Sequence, residues 1–90
     1  MYAVYLLRAK NGKLYIGCTG DLKKRLALHN NGKVASTRNL RPLKLIYSEF
    51  FVSKKDAFER EAKLKYHAQS LRRLKERLRE TLRQSSVWVG

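Results

Sequence analysis

Cysteine is nearly absent from this chain of 90 residues, which contains a single one, Cys18. One cysteine can form neither an internal disulfide nor a cysteine metal cluster; this fits a reducing compartment, and we expect a cytoplasmic protein. Long apolar runs are missing too, since no segment approaches the roughly 18–20 apolar residues that a membrane-spanning helix needs. The first ten residues, MYAVYLLRAK, lack the basic segment before an apolar one that is typical of a signal peptide.

Acidic residues are also scarce. Seven Asp and Glu stand against 21 Lys and Arg, which gives a formal net charge of +14. Such a surplus attracts polyanions, and nucleic acid is the partner it favours, with an anionic membrane surface or a solvated basic face as alternatives. The hydrophobic content of 43% is ordinary for a folded chain, and 90 residues predict one small domain, residues 1–90, whose helices must pack to bury their apolar faces.

The N-terminal third predicts a β-hairpin followed by a helix. Strands are expected at residues 2–7 and 13–18, with Asn11-Gly12 as a turn signal between them. A two-residue turn would place Tyr5 and Tyr15 on opposite faces, whereas a three-residue loop ending in a left-handed glycine would place them on one face. The sequence alone permits either register. The helix is expected over residues 21–31, begun by Thr19 or Asp21 and ended by Gly32.

The remaining segments predict a basic loop, a third strand and two helices. The loop, residues 32–42, carries Lys33, Arg38 and Arg41 and ends at Pro42, before a strand over 43–51. Ser53 followed by Asp56 predicts the start of a helix that extends to about Ala68. A right-handed connection between the second and third strands would place the first strand in the middle of the sheet.

The C-terminal helix predicted over residues 70–84 is basic and amphipathic. Its apolar stripe consists of Leu71, Leu74, Leu78 and Leu82, and Arg72 and Arg73 belong to its basic face. Core packing is the preferred interpretation of the stripe, with dimerisation as the alternative. The fold class expected is therefore α+β, with a three-stranded antiparallel sheet flanked by helices in the order β-β-α-β-α-α.

Glu61 is the residue that this pattern explains least. In the helix that follows Ser53, it falls within the apolar arc formed by Ala57, Leu64 and their neighbours. A carboxylate directed at a core is costly unless a positive group meets it. A salt-bridged structural glutamate is the plain interpretation, and a functional acid is the alternative.

Four kinds of residue are predicted to converge on one face of the sheet. The hairpin supplies Tyr5 and Tyr15, the first helix supplies Arg25 and His29 four positions apart, and the second supplies Glu61. Each has an ordinary structural explanation. Together they match the needs of phosphodiester hydrolysis: a carboxylate for a divalent cation, a guanidinium for phosphate oxygens, and a phenol or imidazole whose pKa is drawn towards neutrality by the positive cluster.

At these residues the chain resembles the GIY-YIG nuclease superfamily, in particular its small single-domain bacterial members. AVY at 3–5 and YIG at 15–17 resemble the paired signature, and GCTGDLKKRLALHNNGK at 17–33 resembles the continuation. The run from Thr37 to Pro42, T-R-x-x-R-P, and AFEREAKLK at 57–65 are similar as well. The resemblance covers residues 2 to about 66, in order and at suitable spacing.

The resemblance implies an endonuclease that acts on DNA, with RNA as the other possible partner, and a role in DNA repair. It implies Tyr5 and Tyr15 in water activation, Arg25 at the scissile phosphate and His29 in support of a tyrosine or the proton path. It also implies Glu61 as the ligand of a single Mg²⁺ or Mn²⁺. The predicted DNA contacts are the following basic residues: Lys33, Arg38, Arg41, Arg72 and Arg73.

The chain departs from the family pattern in two places, and the second bears on catalytic strength. Ala3-Val4 stands where the family has Gly-Ile, which is a conservative change for a buried strand. The asparagine that larger relatives place near the metal is missing, because no asparagine follows Asn39. The alternatives to a nuclease are a nucleic-acid-binding module of the same fold with little or no cleavage, and a small basic protein that associates with RNA or ribosomes.

Overall fold

The computed structural model describes residues 1–85 and contains one sheet flanked by helices. The strands are β1 (Tyr2–Ala9), β2 (Leu14–Thr19) and β3 (Leu43–Phe51); the helices are α1 (Leu22–Asn30), α2 (Lys54–Tyr66), α3 (Ala68–Arg77) and α4 (Arg79–Ser85), with a 3₁₀ turn at Arg38–Leu40. In the described part of the chain, no helix has the length and apolar content needed to cross a membrane. The last five residues of the predicted domain, 86–90, lie outside the described residues.

The sheet is antiparallel, with strand order β2-β1-β3, so the prediction that the first strand lies in the middle is confirmed. In the hairpin Tyr5 pairs with Gly17 and Leu7 with Tyr15, which is the register of the three-residue loop. The backbone N–H of Ala9 donates to the Lys13 carbonyl (2.9 Å), and Gly12 between them has a φ of 89°. Only glycine adopts that conformation readily, so the loop fixes both tyrosines on one face.

The two faces of the sheet differ in what covers them. The core face carries Val4, Leu6 and Ile16, which form one apolar cluster with Ala57 and Leu64 of α2 and with Leu74 of α3. The tyrosine face carries Tyr5, Tyr15 and Gly17, because side chains alternate along each strand. It is covered by α1 and the following loop, whose His29 and Thr37 are fully buried.

The helix starts agree with the predicted capping residues. The Asp21 side chain accepts a hydrogen bond from the Lys24 N–H at the start of α1, and Ser53 accepts one from the Asp56 N–H at the start of α2. Each bond satisfies a backbone donor that has no partner within its own helix. Gly32, with a φ of 71°, follows the end of α1.

The continuous C-terminal helix predicted over residues 70–84 is wrong, because the chain turns at Leu78, where φ is −100° and ψ is 19°. Leu71, Leu74 and Leu78 pack against the apolar cluster, which confirms core packing for these three. Beyond the turn, α4 contacts β3, and the Leu82 carbonyl accepts a hydrogen bond from Arg8 (3.3 Å). A straight helix would leave the sheet, so burial and this anchor outweigh the local helical preference.

Candidate active site

Tyr5 lies in the centre of the tyrosine face and is fully buried. Its ring crosses the paired residue of the neighbouring strand, Gly17, so closely that a Cβ at that position would overlap the ring and its hydroxyl oxygen. The glycine of the YIG triplet is therefore required by contact and not by backbone conformation. Because Gly17 has no side chain, the hydroxyl of Tyr5 on the central strand can extend towards the edge strand β2.

His29 joins Tyr5 to the loop through two short hydrogen bonds. Its Nε2 atom is 2.8 Å from the Tyr5 hydroxyl, and its Nδ1 atom is 2.8 Å from the Thr37 hydroxyl. Thr37 donates its own proton to the Val34 carbonyl (3.5 Å), so its oxygen accepts from Nδ1–H. This leaves Nε2 as the acceptor for the Tyr5 proton. The three side chains form a directed chain that we call the buried relay: Tyr5, His29 and Thr37.

Tyr15 completes an aromatic cluster around the relay. Its ring centroid lies 6.4 Å from that of Tyr5 and 5.2 Å from that of His29, with the His29 contact edge-on at 68°. Tyr15 is only half-buried, so it stands between the fully buried relay and solvent. The predicted meeting of both tyrosines with His29 is therefore present in the structure.

Arg25 brings a fixed positive charge to the two tyrosine hydroxyls. It precedes His29 by one helical turn, so both side chains lie on the same face of α1. Its interaction with the Tyr5 hydroxyl raises the pKa of Arg25 above the usual value. The guanidinium is charged at every working pH, and it is the cation that the structure places beside the tyrosines.

The positive cluster does not draw the pKa of Tyr5 towards neutrality as predicted. Burial raises the pKa of Tyr5, and Tyr15 and Glu61 add to that rise; Arg25 acts in the opposite direction but does not outweigh them. Burial, followed by the charge of Arg25, lowers the pKa of His29. The expectation of a phenol with a lowered pKa is therefore wrong for Tyr5, because desolvation dominates over one guanidinium. At neutral pH both Tyr5 and His29 are uncharged, with His29 ready to accept a proton.

The helix that carries Glu61, α2, packs on the core face of the sheet through Ala57 and Leu64, whereas the tyrosines lie on the other face. The carboxylate is 19% exposed and pairs with Lys65 Nζ at 3.1 Å. Burial raises the pKa values of Tyr5 and Cys18, and the charge of Glu61 adds to both rises, which places Glu61 within electrostatic range of the relay near β2.

The residues present fit a metal ion bound through a single carboxylate. Among residues 1–85, no group of three or more His, Cys, Asp and Glu side chains is close enough to hold an ion. Mg²⁺ commonly binds proteins through one or two carboxylates and takes its other ligands from water and substrate phosphates. Glu61 suits that mode, because Lys65 is its only ion-pair partner in the described chain and a displaceable one.

The predicted DNA contacts fall into two groups on opposite layers of the fold. Lys33, Arg38 and Arg41 are exposed in the loop beside the tyrosine face, where Arg38 Nε donates to the Gly32 carbonyl (2.9 Å). Arg72 and Arg73 are exposed on α3, whose apolar side packs on the core-face cluster. The structure therefore does not bring the two groups onto one surface.

Thr37 is the site residue that reasoning from the sequence missed. It is fully buried and holds His29 in one tautomer. A signal was available, because Thr37 opens the T-R-x-x-R-P run that follows the helix carrying His29. That run was interpreted as a source of basic contacts, and its threonine was given no role.

The antiparallel sheet and the cluster of Tyr5, Tyr15 and His29 on one of its faces agree with a family comparison. The model of the GIY-YIG catalytic domain matches residues 1–80, and the chain belongs to this family. The match points to a nuclease family.

The relatives are small bacterial proteins. A UPF0213 protein of Streptococcus pneumoniae serotype 4 is 49% identical over 63 residues, covering 69% of this chain and 64% of the relative, a little under two thirds of its length. UPF0213 protein SH2523 of Staphylococcus haemolyticus is 40% identical over 77 residues, covering 82% and 94%. The solution NMR structure of UPF0213 protein BH0048 from Bacillus halodurans is similar with a TM-score of 0.53 and 35% identity, covering 89% of this chain and 84% of that one.

Proposed function

We propose that this protein is a divalent-metal-dependent endonuclease that hydrolyses DNA phosphodiester bonds. The observation that carries the proposal is the buried relay, in which the Tyr5 hydroxyl lies 2.8 Å from His29 Nε2 and His29 Nδ1 lies 2.8 Å from the Thr37 hydroxyl. The family match supports the same reaction class.

In this proposal the half-buried Tyr15 positions the attacking water at the solvent side of the relay, and bound substrate brings that water to the Tyr5 hydroxyl, which is fully buried in the free protein. The Tyr5 oxygen takes a proton from the water as its own proton passes to His29 Nε2. This two-step transfer avoids a free phenolate, which burial disfavours at this position. The Nδ1–H bond to Thr37 keeps His29 oriented and stabilises the imidazolium that forms.

In this proposal Arg25, together with a metal ion held by Glu61, stabilises the negative charge of the phosphate. The planar guanidinium of Arg25 can donate two parallel hydrogen bonds to the non-bridging oxygens beside the tyrosine hydroxyls. Glu61 would hold a single Mg²⁺ or Mn²⁺, which when bound supplies Lewis-acid stabilisation of the charge that develops on the phosphate. Lys65, which pairs with Glu61 in the structure, would then release the carboxylate.

Substrate binding in this proposal depends chiefly on phosphate contacts from the loop cations Lys33, Arg38 and Arg41. Each neutralised phosphate contributes about −0.9 to the slope of log K against log salt concentration on duplex DNA. We therefore expect steep salt dependence and similar affinity for unrelated sequences of one shape. Arg72 and Arg73 would contribute only where the nucleic acid reaches the opposite layer of the fold.

The decisive experiment is cleavage of supercoiled plasmid DNA with Mg²⁺ or Mn²⁺, with and without chelator, by the wild-type protein and His29→Ala. We expect metal-dependent nicking by the wild type that the variant lacks. Binding without nicking under every metal condition would refute the nuclease and leave the nucleic-acid-binding module. Equal nicking by both proteins would point to a contaminating nuclease.

A further inference from the structure

A shallow, open pocket lies at the hairpin end of the sheet, apart from the catalytic cluster. It is a depression of about 260 Å³ between the β1–β2 loop and the 3₁₀ turn, lined by Lys10, Asn11, Asn39, Leu40 and Arg41. The wall that contains Asn39 belongs to the 3₁₀ turn that begins immediately after Thr37 in the chain. The pocket is therefore built on the same loop that anchors the buried relay.

The groups that line the pocket are held by contacts outside it. The Asn11 side-chain oxygen accepts a hydrogen bond from the Lys13 N–H (3.0 Å), which leaves its NH₂ group free to donate. Arg41 Nε donates to the Arg38 carbonyl (2.9 Å), and the guanidinium packs against Gly32, where a Cβ would crowd it. A fixed guanidinium and a partly satisfied amide are features of a site whose polar groups are already oriented.

We propose that this pocket binds one unpaired nucleotide of the nucleic-acid substrate, an inference that rests on the proposed function for the identity of the substrate. Lys10 and Arg41 supply positive charge for the phosphate. Asn11 and Asn39 supply donors and acceptors for a base edge, and the half-buried Leu40 supplies apolar surface for the base.

The concave shape selects an unpaired nucleotide over continuous duplex. Phosphates of a duplex require only an exposed basic surface, which the loop already provides with Lys33 and Arg38. A depression can take in a base only if the base leaves its stack, whereas the edges of a paired base are reached only by an element that protrudes into a groove. Mismatched, flapped or single-stranded positions offer such a base at the lowest cost.

The pocket also has a defined distance from the catalytic tyrosines. Tyr15 pairs with Leu7, and Lys10 lies three residues beyond Leu7 along the strand and into its loop. Three residues of strand span about 10 Å. The bound nucleotide is thus expected near the bond that is cut but not at it.

The test is fluorescence anisotropy in the presence of EDTA, so that binding is measured without cleavage. The probes are a labelled blunt duplex and the same duplex with a three-nucleotide splayed end, each prepared as DNA and as RNA. Asn39→Ala is compared with Gln69→Ala, which removes an exposed amide on α3, far along the chain from the pocket. We expect Asn39→Ala to weaken binding of the splayed probe about fivefold, as for a lost hydrogen bond, and to leave blunt duplex within twofold.

The possible results test the pocket independently of the proposed nuclease activity. Loss confined to the splayed probe, with Gln69→Ala unchanged, supports the pocket even if plasmid nicking fails. No loss on Asn39→Ala, or equal losses on blunt and splayed probes, overturns the pocket even if nicking succeeds. An effect in both DNA and RNA supports recognition of the base, whereas an effect in one of them supports a pocket that also reads the sugar.

Discussion

Two glutamates with nearly the same burial, Glu49 and Glu61, have very different surroundings. Glu49 on β3 is 17% exposed, and both its oxygens are used: Arg60 donates to them at 2.9–3.2 Å, and the Tyr47 hydroxyl donates at 2.9 Å. Burial raises the pKa of Glu49, but these bonds outweigh it and the net pKa is lowered. Glu61, 19% exposed, has a single lysine on one oxygen.

The difference shows how a structural carboxylate is told from an available one. A bidentate arginine with a tyrosine leaves Glu49 little capacity for a further ligand. A lysine is a flexible point charge, so Lys65 can leave Glu61 at small cost. Exposure alone would not separate the two acids, whereas the number and kind of partners does.

The sharpest test of this comparison exchanges each acid for its amide. We expect Glu61→Gln to lower metal-dependent cleavage about a thousandfold, since a Lewis acid contributes several kcal/mol and each 1.36 kcal/mol is tenfold. DNA binding should persist or tighten, because a negative charge is removed. Glu49→Gln should keep its cleavage rate per folded molecule. Single-turnover assays at saturating enzyme measure both, and normal cutting by Glu61→Gln would make Glu61 structural.

The same distinction between a catalytic role and a binding role can be tested for two arginines, Arg25 and Arg38. We expect Arg25→Ala to lower the single-turnover rate about a hundredfold, because a phosphate clamp acts on charge in the transition state. Arg38→Ala is the matched control on the exposed loop and should weaken binding with little change in rate at saturation. If Arg25→Ala and Arg38→Ala lose only affinity, and to a similar extent, Arg25 has no catalytic role.

We expect substitution of Glu49 to lower stability more than substitution of Glu61 does, whereas substitution of Glu61 has the larger effect on activity. Removing the charge of Glu49 leaves Arg60, whose side chain is 25% exposed, without its partner. We expect Glu49→Gln to cost about 2 kcal/mol, which would lower Tm by about 10 °C in a domain of this size. Glu61→Gln should shift Tm by less than half as much. Thermal denaturation followed by circular dichroism measures both, and an equal shift would remove the distinction between the two acids.

The smallest expected effect is on the pH dependence of stability. The folded pKa of His29 is lowered from 6.5, so the unfolded chain binds its proton first and stability falls as pH drops below 6.5. Glu49 has a folded pKa lowered from 4.5, so its contribution is lost only below about pH 4.5. Each slope is at most about 1.4 kcal/mol per pH unit.

Urea denaturation between pH 3.5 and pH 7.5 separates these two ranges. His29→Gln should flatten the curve below pH 6.5 and leave the lower range unchanged, while Glu49→Gln should do the reverse. A wild-type curve that is flat between pH 5 and pH 6.5 would contradict the burial of a neutral His29.

The sequence was sufficient for features that local chemistry decides. The three strands, the central position of the first one, and the caps at Asp21 and Ser53 follow from turn residues, periodicity and capping preference. The hairpin register was open from the residues alone, and the structure has the register of the three-residue loop. The proximity of Tyr5, Tyr15 and His29 followed from that register.

Features decided by packing were beyond the sequence. The turn at Leu78 contains neither glycine nor proline and depends on contacts of α4 with β3. The side from which Glu61 approaches depends on how α2 lies across the sheet, and a helical wheel carries no such information. The raised pKa of Tyr5 depends on complete burial, which competes with Arg25 and prevails.

In the proposed nuclease, the bond between His29 and Thr37 also links substrate binding to turnover. Thr37 is a fixed point of the loop whose neighbouring residues, Arg38 onward, are the proposed phosphate contacts. Any movement of that loop large enough to shift Thr37 breaks the 2.8 Å bond that orients the imidazole, and with it the proton path from Tyr5. In that proposal, a nucleic acid that leaves the loop in place keeps the proton path from Tyr5 to His29 intact, and one that displaces the loop interrupts it.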